Sequence, residues 1–416
     1  MTEYYLNKKK ILNDPVFGFI TIPDDLIYDI IEHPWFQRLR RIKQLGLTYL
    51  VYPGALHTRF HHAIGALGLM QEAIKVLEEK GHIITKDEKL GVYSAILLHD
   101  IGHGPFSHAL EYSIVKSIQH EGVSLLFMEK LNKDFNGQLD TAIKIFKNEY
   151  PKKFLHQLVS GQLDVDRLDY LKRDSFFTGV SEGVIGTERI IKMLNVVDDQ
   201  LVIEAKGIYS IEKFILARRL MYWQVYLHKT VLSAEKMLVK TLKRARFLSL
   251  QGDQLFATPH LSFFLKGNYD YNDLKTNEHV LNKFAQLDDS DITSAIKVWS
   301  EHSDKVLSDF SLNLLNRNLF RIELQNHPFN NEYIMKLQEK WMHLNHGYEE
   351  LKDYYVFSGT TENNAYNPDL ENIRVLMKGG VLKDLMDASE ELNVTTVTQT
   401  EHKHYLCYPK ILVKKD

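Results

Sequence analysis

The chain has 416 residues, 44% of them hydrophobic and 25% charged, which is ordinary usage for a globular protein and excludes disordered, collagen-like and disulfide-stapled classes. Its 51 basic and 54 acidic side chains give a net charge of −3, whereas a dedicated nucleic-acid binder is usually basic. Cys407 is the only cysteine, so an intrachain disulfide and a cysteine-ligated zinc finger are both excluded. Because there is neither a signal-peptide pattern nor an apolar run of roughly 18 residues, we expect a cytoplasmic protein with no membrane partner.

The N-terminal part is predicted to be helical after one short strand at residues 17–22. A second predicted helix runs from about residue 56 to residue 79, with Gly81 ending it, and a third runs from about residue 86 to residue 99. The first predicted helix precedes these two and follows the strand. It is predicted from apolar residues at three-residue steps, namely Phe36, Leu39, Ile42 and Leu45.

Further along the chain, residues 196–204 read as a hairpin with Asp198 and Asp199 at its turn. A long helix is predicted from about residue 210 to residue 248. Beyond Gly347 the segments gain tyrosine, valine and glycine and take on strand character. We therefore predict a mostly α-helical chain with a small β-hairpin. Residues 1–235 would form a core and residues 236–345 a helical extension packed on that core. Residues 346–416 would form a smaller α+β C-terminal part.

Histidine is concentrated in one window, because eight of the 19 histidines lie within residues 57–120. His99 and Asp100 close an apolar helix, so a rigid support presents both side chains. A turn with two glycines and a proline follows and carries His103 and His108. This arrangement favours a functional site over packing alone.

Imidazole and carboxylate groups together suit a divalent metal such as Mn, Fe, Zn, Co or Mg. His99-Asp100 supplies two ligands, and more must come from elsewhere. Within residues 57–62, His57 and His61 are spaced i,i+4 and could form a zinc pair. Helical geometry alone does not decide whether His61 or His62 is the additional metal ligand. Residues 164–174, with four acids and three bases, offer a further carboxylate or simply a solvated helix face.

Four motifs in this order resemble the HD-domain superfamily: H-x-R-F-x-H at His57, H-D-I-G-H-G-P-F-S-H at His99, H-E at His120, and D-V-D-R-L-D-Y-L-x-R-D at Asp164. More narrowly, the chain resembles the deoxynucleoside triphosphate (dNTP) triphosphohydrolases, including bacterial dNTPases and the catalytic core of the vertebrate sterile-alpha-motif-plus-HD enzyme. The similarity covers about residues 15–230. It implies an HD-domain helical core and metal-dependent hydrolysis of dNTPs to deoxynucleoside and inorganic triphosphate.

The resemblance also implies roles for individual residues. The metal ligands would be His62, His99, Asp100 and Asp166. The catalytic group would be His103, His108, Glu111 and His120, with His108 protonating the leaving oxygen and the His120–Glu111 pair as its rival. Phosphates would be bound by Arg59, Arg167 and Arg218. The sugar would be bound by Gln44, Leu45, Tyr170, Asp174 and Tyr226.

Such enzymes are commonly homo-oligomers, so we expect a dimer or tetramer. The resemblance also implies allosteric activation by a dNTP bound between subunits, near Gln37 and Arg40. One alternative is an HD phosphohydrolase acting on a cyclic nucleotide, guanosine tetraphosphate or a nucleoside monophosphate. Another is a non-catalytic nucleotide sensor or single-stranded nucleic-acid binder, which the acidic balance of the chain disfavours.

Overall fold

The computed structural model describes residues 10–106, 115, 119–363, 372–389 and 401–413, and helices dominate it, as the sequence predicts. The helices of the first half are α1 (Asp25–Glu32), α2 (Pro34–Gln37), α3 (Arg59–Glu79), α4 (Lys86–Leu98), α5 (His120–Asp134), α6 (Asp140–Phe146), α7 (Lys153–Val159), α8 (Val165–Thr178) and α9 (Thr187–Met193). The helices of the second half are α10 (Ile208–Met221), α11 (Lys229–Leu250), α12 (Pro259–Lys266), α13 (Tyr271–Thr276), α14 (Glu278–Phe284), α15 (Asp289–Trp299), α16 (Lys305–Leu315), α17 (Asn331–Leu344), α18 (Lys352–Tyr355) and α19 (Leu385–Ala388). No helix in these described ranges is long and apolar enough to cross a lipid bilayer.

The strands of the described residues form three small sheets. They are β1 (Ile11–Asp14), β2 (Gly18–Thr21), β3 (Leu194–Val197), β4 (Gln200–Glu204), β5 (Arg321–Gln325), β6 (Phe357–Asn363), β7 (Arg374–Leu376), β8 (Leu382–Asp384) and β9 (Glu401–Tyr408). The sheet orders are β1-β2, β3-β4-β7-β8 and β5-β9-β6, and of these pairs β4 and β7 run parallel. The C-terminal strands therefore pair with strands of both the predicted core and the predicted helical extension, since β7 pairs with β4 and β9 with β5. The domain boundaries at residues 235 and 345 stay predictions.

Helix α3 is buried along most of its length and packs against α4 and α8. Gly65 lies where α3 meets α8, and a Cβ atom at this position would lie 2.0 Å from Asp169 Oδ1 and 1.9 Å from an Arg173 nitrogen. Only glycine allows this close approach. The packing brings the middle of α3, the end of α4 and the start of α8 to one place.

Two helix predictions were wrong. The helix expected across Phe36–Leu45 ends as α-helix at Gln37 and continues only as a 3₁₀ turn to Arg41. Beyond that turn the backbone bonds to a distant segment, since Gln44 N donates to His57 O at 3.0 Å and Arg59 N donates to Ile42 O at 2.9 Å. These pairings replace the helical ones.

The predicted long helix at residues 210–248 is two helices, α10 and α11. A π-helical turn at Tyr222–Tyr226 ends the first, and His228 has an extended ψ of 129° and caps the second by accepting a hydrogen bond from Thr230 N. Single π turns are frequent at functional sites. Here the turn carries Tyr226 toward Asp174, whose carboxylate accepts from its hydroxyl at 2.7 Å.

Candidate functional site

Most of the metal, catalytic and substrate residues that the sequence analysis selected line one cavity of about 720 Å³. It opens beside α3, α4, α8 and α10. Its wall contains Gln44, Leu45, Arg59, His99, Asp100, His103, His120, Asp166, Arg167, Tyr170, Asp174, Arg218 and Tyr226. His62 lies fully buried behind the wall. His108 and Glu111 lie outside the described residues.

Four of these side chains present nitrogen and oxygen atoms to one point. His62 Nε2 lies 3.4 Å from His99 Nε2 and 3.1 Å from Asp166 Oδ1, and His99 Nε2 lies 3.4 Å from the same Asp166 oxygen. The Asp100 carboxylate lies 3.8 Å from His62 Nε2 and 3.5 Å from His99 Nε2. The cluster thus combines two imidazoles with two carboxylates, a donor set typical of Mn, Fe, Zn, Co or Mg.

The hydrogen bonds of the two Nδ1 atoms, which face away from the cluster, explain why a cation fits between the Nε2 atoms. His99 Nδ1 lies 2.6 Å from Ile96 O, and because a carbonyl only accepts, that nitrogen carries the proton. His62 Nδ1 lies 2.7 Å from Asp169 Oδ2, which favours a proton on that nitrogen too. In their neutral form, which a metal requires, both rings therefore direct an Nε2 lone pair into the cluster, where a divalent cation would offset the mutual repulsion of the lone pairs.

The electrostatics of the cluster also favour positive charge. Burial lowers the pKa of His62, but Asp166 and Asp169 outweigh burial and raise that pKa to about 10. Surroundings that retain a proton so strongly also attract a divalent cation. Metal binding at this site would therefore release protons.

The sequence analysis missed a buried ion chain behind His62. The two oxygens of Asp169 accept from Arg173 Nε at 2.9 Å and Arg173 Nη2 at 2.8 Å. Arg173 Nη1 in turn donates to Asp14 Oδ2 at 2.8 Å, at the end of β1. A signal was available, because Asp166, Asp169 and Arg173 are spaced i, i+3, i+7 on one helix face.

We expect Asp169→Asn to weaken divalent-metal binding by about 10–100-fold, since a carboxylate behind a ligating histidine orients the ring and raises its basicity. Calorimetric titration with Mn²⁺ measures the affinity, and the rise in melting temperature with Mn²⁺ gives a second readout. Asp198→Asn is the matched control, at an exposed turn with φ 50° that asparagine accepts. Unchanged Mn²⁺ affinity in Asp169→Asn would show that the buried ion chain behind His62 does not support metal binding.

Three guanidinium groups face the cavity beside the His/Asp cluster, and protein acceptors hold them. Arg59 forms an ion pair with Asp100. Arg167 forms one with Asp164 and donates to Gly161 O at 2.6 Å. Arg218 Nη1 lies 3.4 Å from Gln162 Oε1. Fixed guanidinium groups of this kind suit a polyanionic ligand.

Another part of the wall is polar and uncharged apart from one carboxylate. Asp174 is buried, with Oδ1 2.7 Å from His57 Nε2 and Oδ2 accepting from the Tyr226 hydroxyl. Gln44 Oε1 is buried and has no hydrogen-bond partner among the described residues. An orphaned buried acceptor facing a cavity is a natural contact for a ligand hydroxyl or amine.

The alternative zinc pair, His57 and His61, does not form within the described residues. His57 is committed to Asp174, and its ring stacks on Phe177 with centroids 4.5 Å apart. His61 Nδ1 instead accepts from Thr58 N at 3.2 Å, at the start of α3. Of the candidates that helical geometry left open, the structure brings His62 to the cluster.

His103 and His120 lie against the His/Asp cluster as a stacked pair, with ring centroids 3.9 Å apart. His103 Nε2 is 3.4 Å from Asp100 Oδ1. Burial and the positive charge of Arg59 hold the pKa of His103 well below its usual value, so this imidazole is neutral at pH 7. A neutral imidazole can accept a proton or a hydrogen bond from a ligand.

The two residues predicted to bind a regulator lie away from the cavity wall. Arg40 Nε donates to Gln37 Oε1 at 2.8 Å, and Gln37 Nε2 donates to Ile31 O at 2.8 Å. The Arg40 guanidinium also lies 3.5 Å from the centre of the Phe60 ring. They form a separate, partly exposed group.

Comparisons with known proteins support the resemblance to HD-domain phosphohydrolases. The sequence family described as "HD associated region" matches residues 185–253. The Bacillus subtilis protein YwfO is 33% identical over 98% of this chain and 94% of its own length. The deoxynucleoside triphosphate triphosphohydrolase SAMHD1 homolog of Dictyostelium discoideum is 34% identical over 61% of this chain and 53% of its own length. Among solved structures, a phosphohydrolase from Bacteroides thetaiotaomicron is 55% identical, with a TM-score of 0.93 over 96% of this chain and 99% of its own.

Proposed function

The chain belongs to the HD-domain family that includes the SAMHD1-type triphosphohydrolases, and from this premise we propose that it hydrolyses dNTPs to a deoxynucleoside and inorganic triphosphate. Water forms a new bond to the α-phosphorus, and the bond between that phosphorus and the sugar 5′-oxygen breaks. The 5′-oxygen takes up a proton, so the products are a 5′-hydroxyl and intact triphosphate.

The observation that carries the proposal is the single cavity, which joins three kinds of recognition group. The His/Asp cluster suits a divalent cation, the three arginines suit a chain of phosphates, and Asp174 with Tyr226 and Gln44 suits a sugar. A nucleoside triphosphate carries about four negative charges near pH 7 and so needs several fixed cations. The metal would be held by His62, His99, Asp100 and Asp166.

A bound divalent ion would polarise the α-phosphate and acidify water there. Arg59, Arg167 and Arg218 hold the triphosphate and stabilise the negative charge that develops on it. Because Arg59 is fixed by Asp100 and Arg167 by Asp164, little reorganisation is needed when the substrate arrives.

The leaving 5′-oxygen is strongly basic and needs a proton, which a histidine titrating near neutral pH can supply. We assign this role to His108, with the His120–Glu111 pair as the rival donor. His120 is near enough to the cluster to compete, since its ring stacks on His103.

Selection of deoxyribose would rest on the polar part of the wall. Asp174 is oriented by His57 and Tyr226, and with Gln44 it would bind the 3′-hydroxyl. Gln44 and Leu45 would crowd the 2′ position and so disfavour ribose. Tyr170, edge-to-face with Tyr226 at 6.1 Å, would close the sugar pocket.

Product analysis tests the proposal. The purified protein is incubated with each dNTP, singly and mixed, with Mn²⁺ or Mg²⁺, and the products are separated by ion-pair chromatography. Deoxynucleoside with inorganic triphosphate is the expected result. Release of diphosphate or monophosphate would assign the site to another HD phosphohydrolase reaction, and absence of turnover with every metal would favour a nucleotide sensor.

We also propose that the chain is a homo-oligomer and that a dNTP bound near Gln37 and Arg40 activates it. Arg40→Ala is then expected to raise the activator concentration for half-maximal rate by about tenfold or more, within the usual range of such coupling. Initial rates over a series of dNTP concentrations measure this, with the exposed Arg189→Ala as control. An unchanged concentration dependence would exclude the site.

A further inference from the structure

One carboxylate outside the cavity connects two segments of its wall. Asp289 is the first residue of α15 and is buried, with 4% of its surface exposed. Its Oδ1 accepts from Phe106 N at 2.8 Å, and its Oδ2 accepts from Lys43 N at 3.0 Å. The two bonded amides are 63 residues apart in sequence, and each lies in a segment that lines the cavity.

The first segment carries the proposed sugar and phosphate contacts. Lys43 precedes Gln44 and Leu45 and forms a β-bridge with Thr58. Thr58 in turn precedes Arg59 at the start of α3. A displacement of Lys43 would therefore move Gln44 directly and would disturb the backbone that supports Arg59.

The second segment is the turn after the His99-Asp100 pair. It carries His103 and Phe106, and Phe106 lines the cavity with φ 50°. A left-handed backbone conformation is unfavourable for a residue with a side chain. The bond from Phe106 N to Asp289 helps hold this unfavourable conformation.

Arg38 strengthens the same connection from beneath the cavity. Its fully buried guanidinium donates to Ile101 O at 2.7 Å and His103 O at 3.0 Å on the turn, and to Leu287 O at 3.0 Å just before α15. Two side chains, Asp289 and Arg38, thus connect the start of α15 to the turn that carries His103. Lys43 Nζ, 3.4 Å from Asp289 Oδ2, adds a cation to the carboxylate.

We propose that Asp289 is a positioning residue, which sets the distance between the Gln44 segment and the His103 turn and thereby the fit of the sugar against the reacting phosphate. This inference rests on the proposed function. A carboxylate has two oxygens that both accept, so it can bind both amides at once. An asparagine has only one such oxygen and would turn its NH₂ group toward the other amide.

Asp289→Asn is expected to raise the KM for dNTP about tenfold and to lower kcat by about 10–100-fold, since misplacements of about 1 Å can cost 100-fold. The preference for dNTP over rNTP should fall as well, because Gln44 and Leu45 shift. Mn²⁺ affinity should stay within about twofold, because the proposed ligands lie on other segments. A general loss of stability would not produce this combination.

Asp291→Asn is the matched control. Asp291 lies in the same first turn of α15 and is buried to a similar degree, but it accepts from Thr258 Oγ1 and from Asp288 N at 2.7 Å, not from the cavity wall. The Asp291→Asn substitution should lower the melting temperature without changing KM, kcat or the dNTP preference. Equal kinetic changes in the two variants would overturn the proposal.

Hydrogen exchange separates this inference from the proposed function. At least one of the Lys43 and Phe106 amides should exchange faster in Asp289→Asn than in Asp291→Asn, whether or not the wild type turns over any dNTP. Lack of wild-type turnover would refute the function, whereas unchanged exchange would refute the positioning role. If Asp289→Asn does not fold, Asp289→Glu moves both acceptor oxygens by one methylene and should also loosen selectivity. Wild-type kinetics and exchange in that variant would overturn the proposal.

Discussion

Asp166→Asn is expected to lower kcat by about 1000-fold or more and to remove most of the bound metal. Asp166 Oδ1 lies within 3.1–3.4 Å of both cluster imidazoles, and an amide at this place is neutral and a weaker ligand. A bound cation contributes several kcal/mol of charge stabilisation in such reactions. A loss of about 4 kcal/mol corresponds to about 1000-fold in rate.

The measurement is kcat at saturating dNTP and Mn²⁺, together with the metal content of the purified variant. Asp198→Asn makes the same chemical change at the exposed turn between β3 and β4 and should keep both values. If Asp166→Asn lost its metal and still turned over at the wild-type rate, the His/Asp cluster would not be the reaction centre.

Arg59→Ala is expected to lower kcat/KM by about 100–1000-fold, as is usual when one fixed donor to a developing charge is removed. Arg59 is buried at the cavity wall, where its guanidinium forms an ion pair with Asp100. Arg59→Lys keeps the charge but cannot form the planar, two-pronged contact, so we expect it to recover activity only in part.

Arg189→Ala, which removes a surface guanidinium that donates to Lys206 O, is the control for Arg59→Ala. Because Arg59 also pairs with Asp100, Mn²⁺ affinity is measured in parallel to separate lost metal from lost phosphate contact. Wild-type kcat/KM in Arg59→Ala would exclude Arg59 from substrate binding.

Features that depend on residues close together in the chain could be predicted from the amino-acid sequence. Apolar periodicity predicted α3 and α4, and Gly81, with φ 90°, ends α3 as expected. The hairpin turn at Asp198 and Asp199 was predicted correctly, and both residues have positive φ. The order of His, Asp and Arg motifs also predicted which residues would share a cavity, because the resemblance relates spacing in the chain to a known arrangement.

Features that depend on partners far along the chain could not be predicted and became visible only in the folded protein. The helix at Phe36 ends early because residues 42–44 pair with residues 57–59. The ion chain behind His62 requires Asp14, 159 residues from Arg173 in sequence. Asp289 acts on Lys43 across 246 residues and reads in sequence only as a helix-start aspartate. Periodicity and capping report the energetics of one turn of backbone, whereas these contacts exist only once packing has closed the long loops between them.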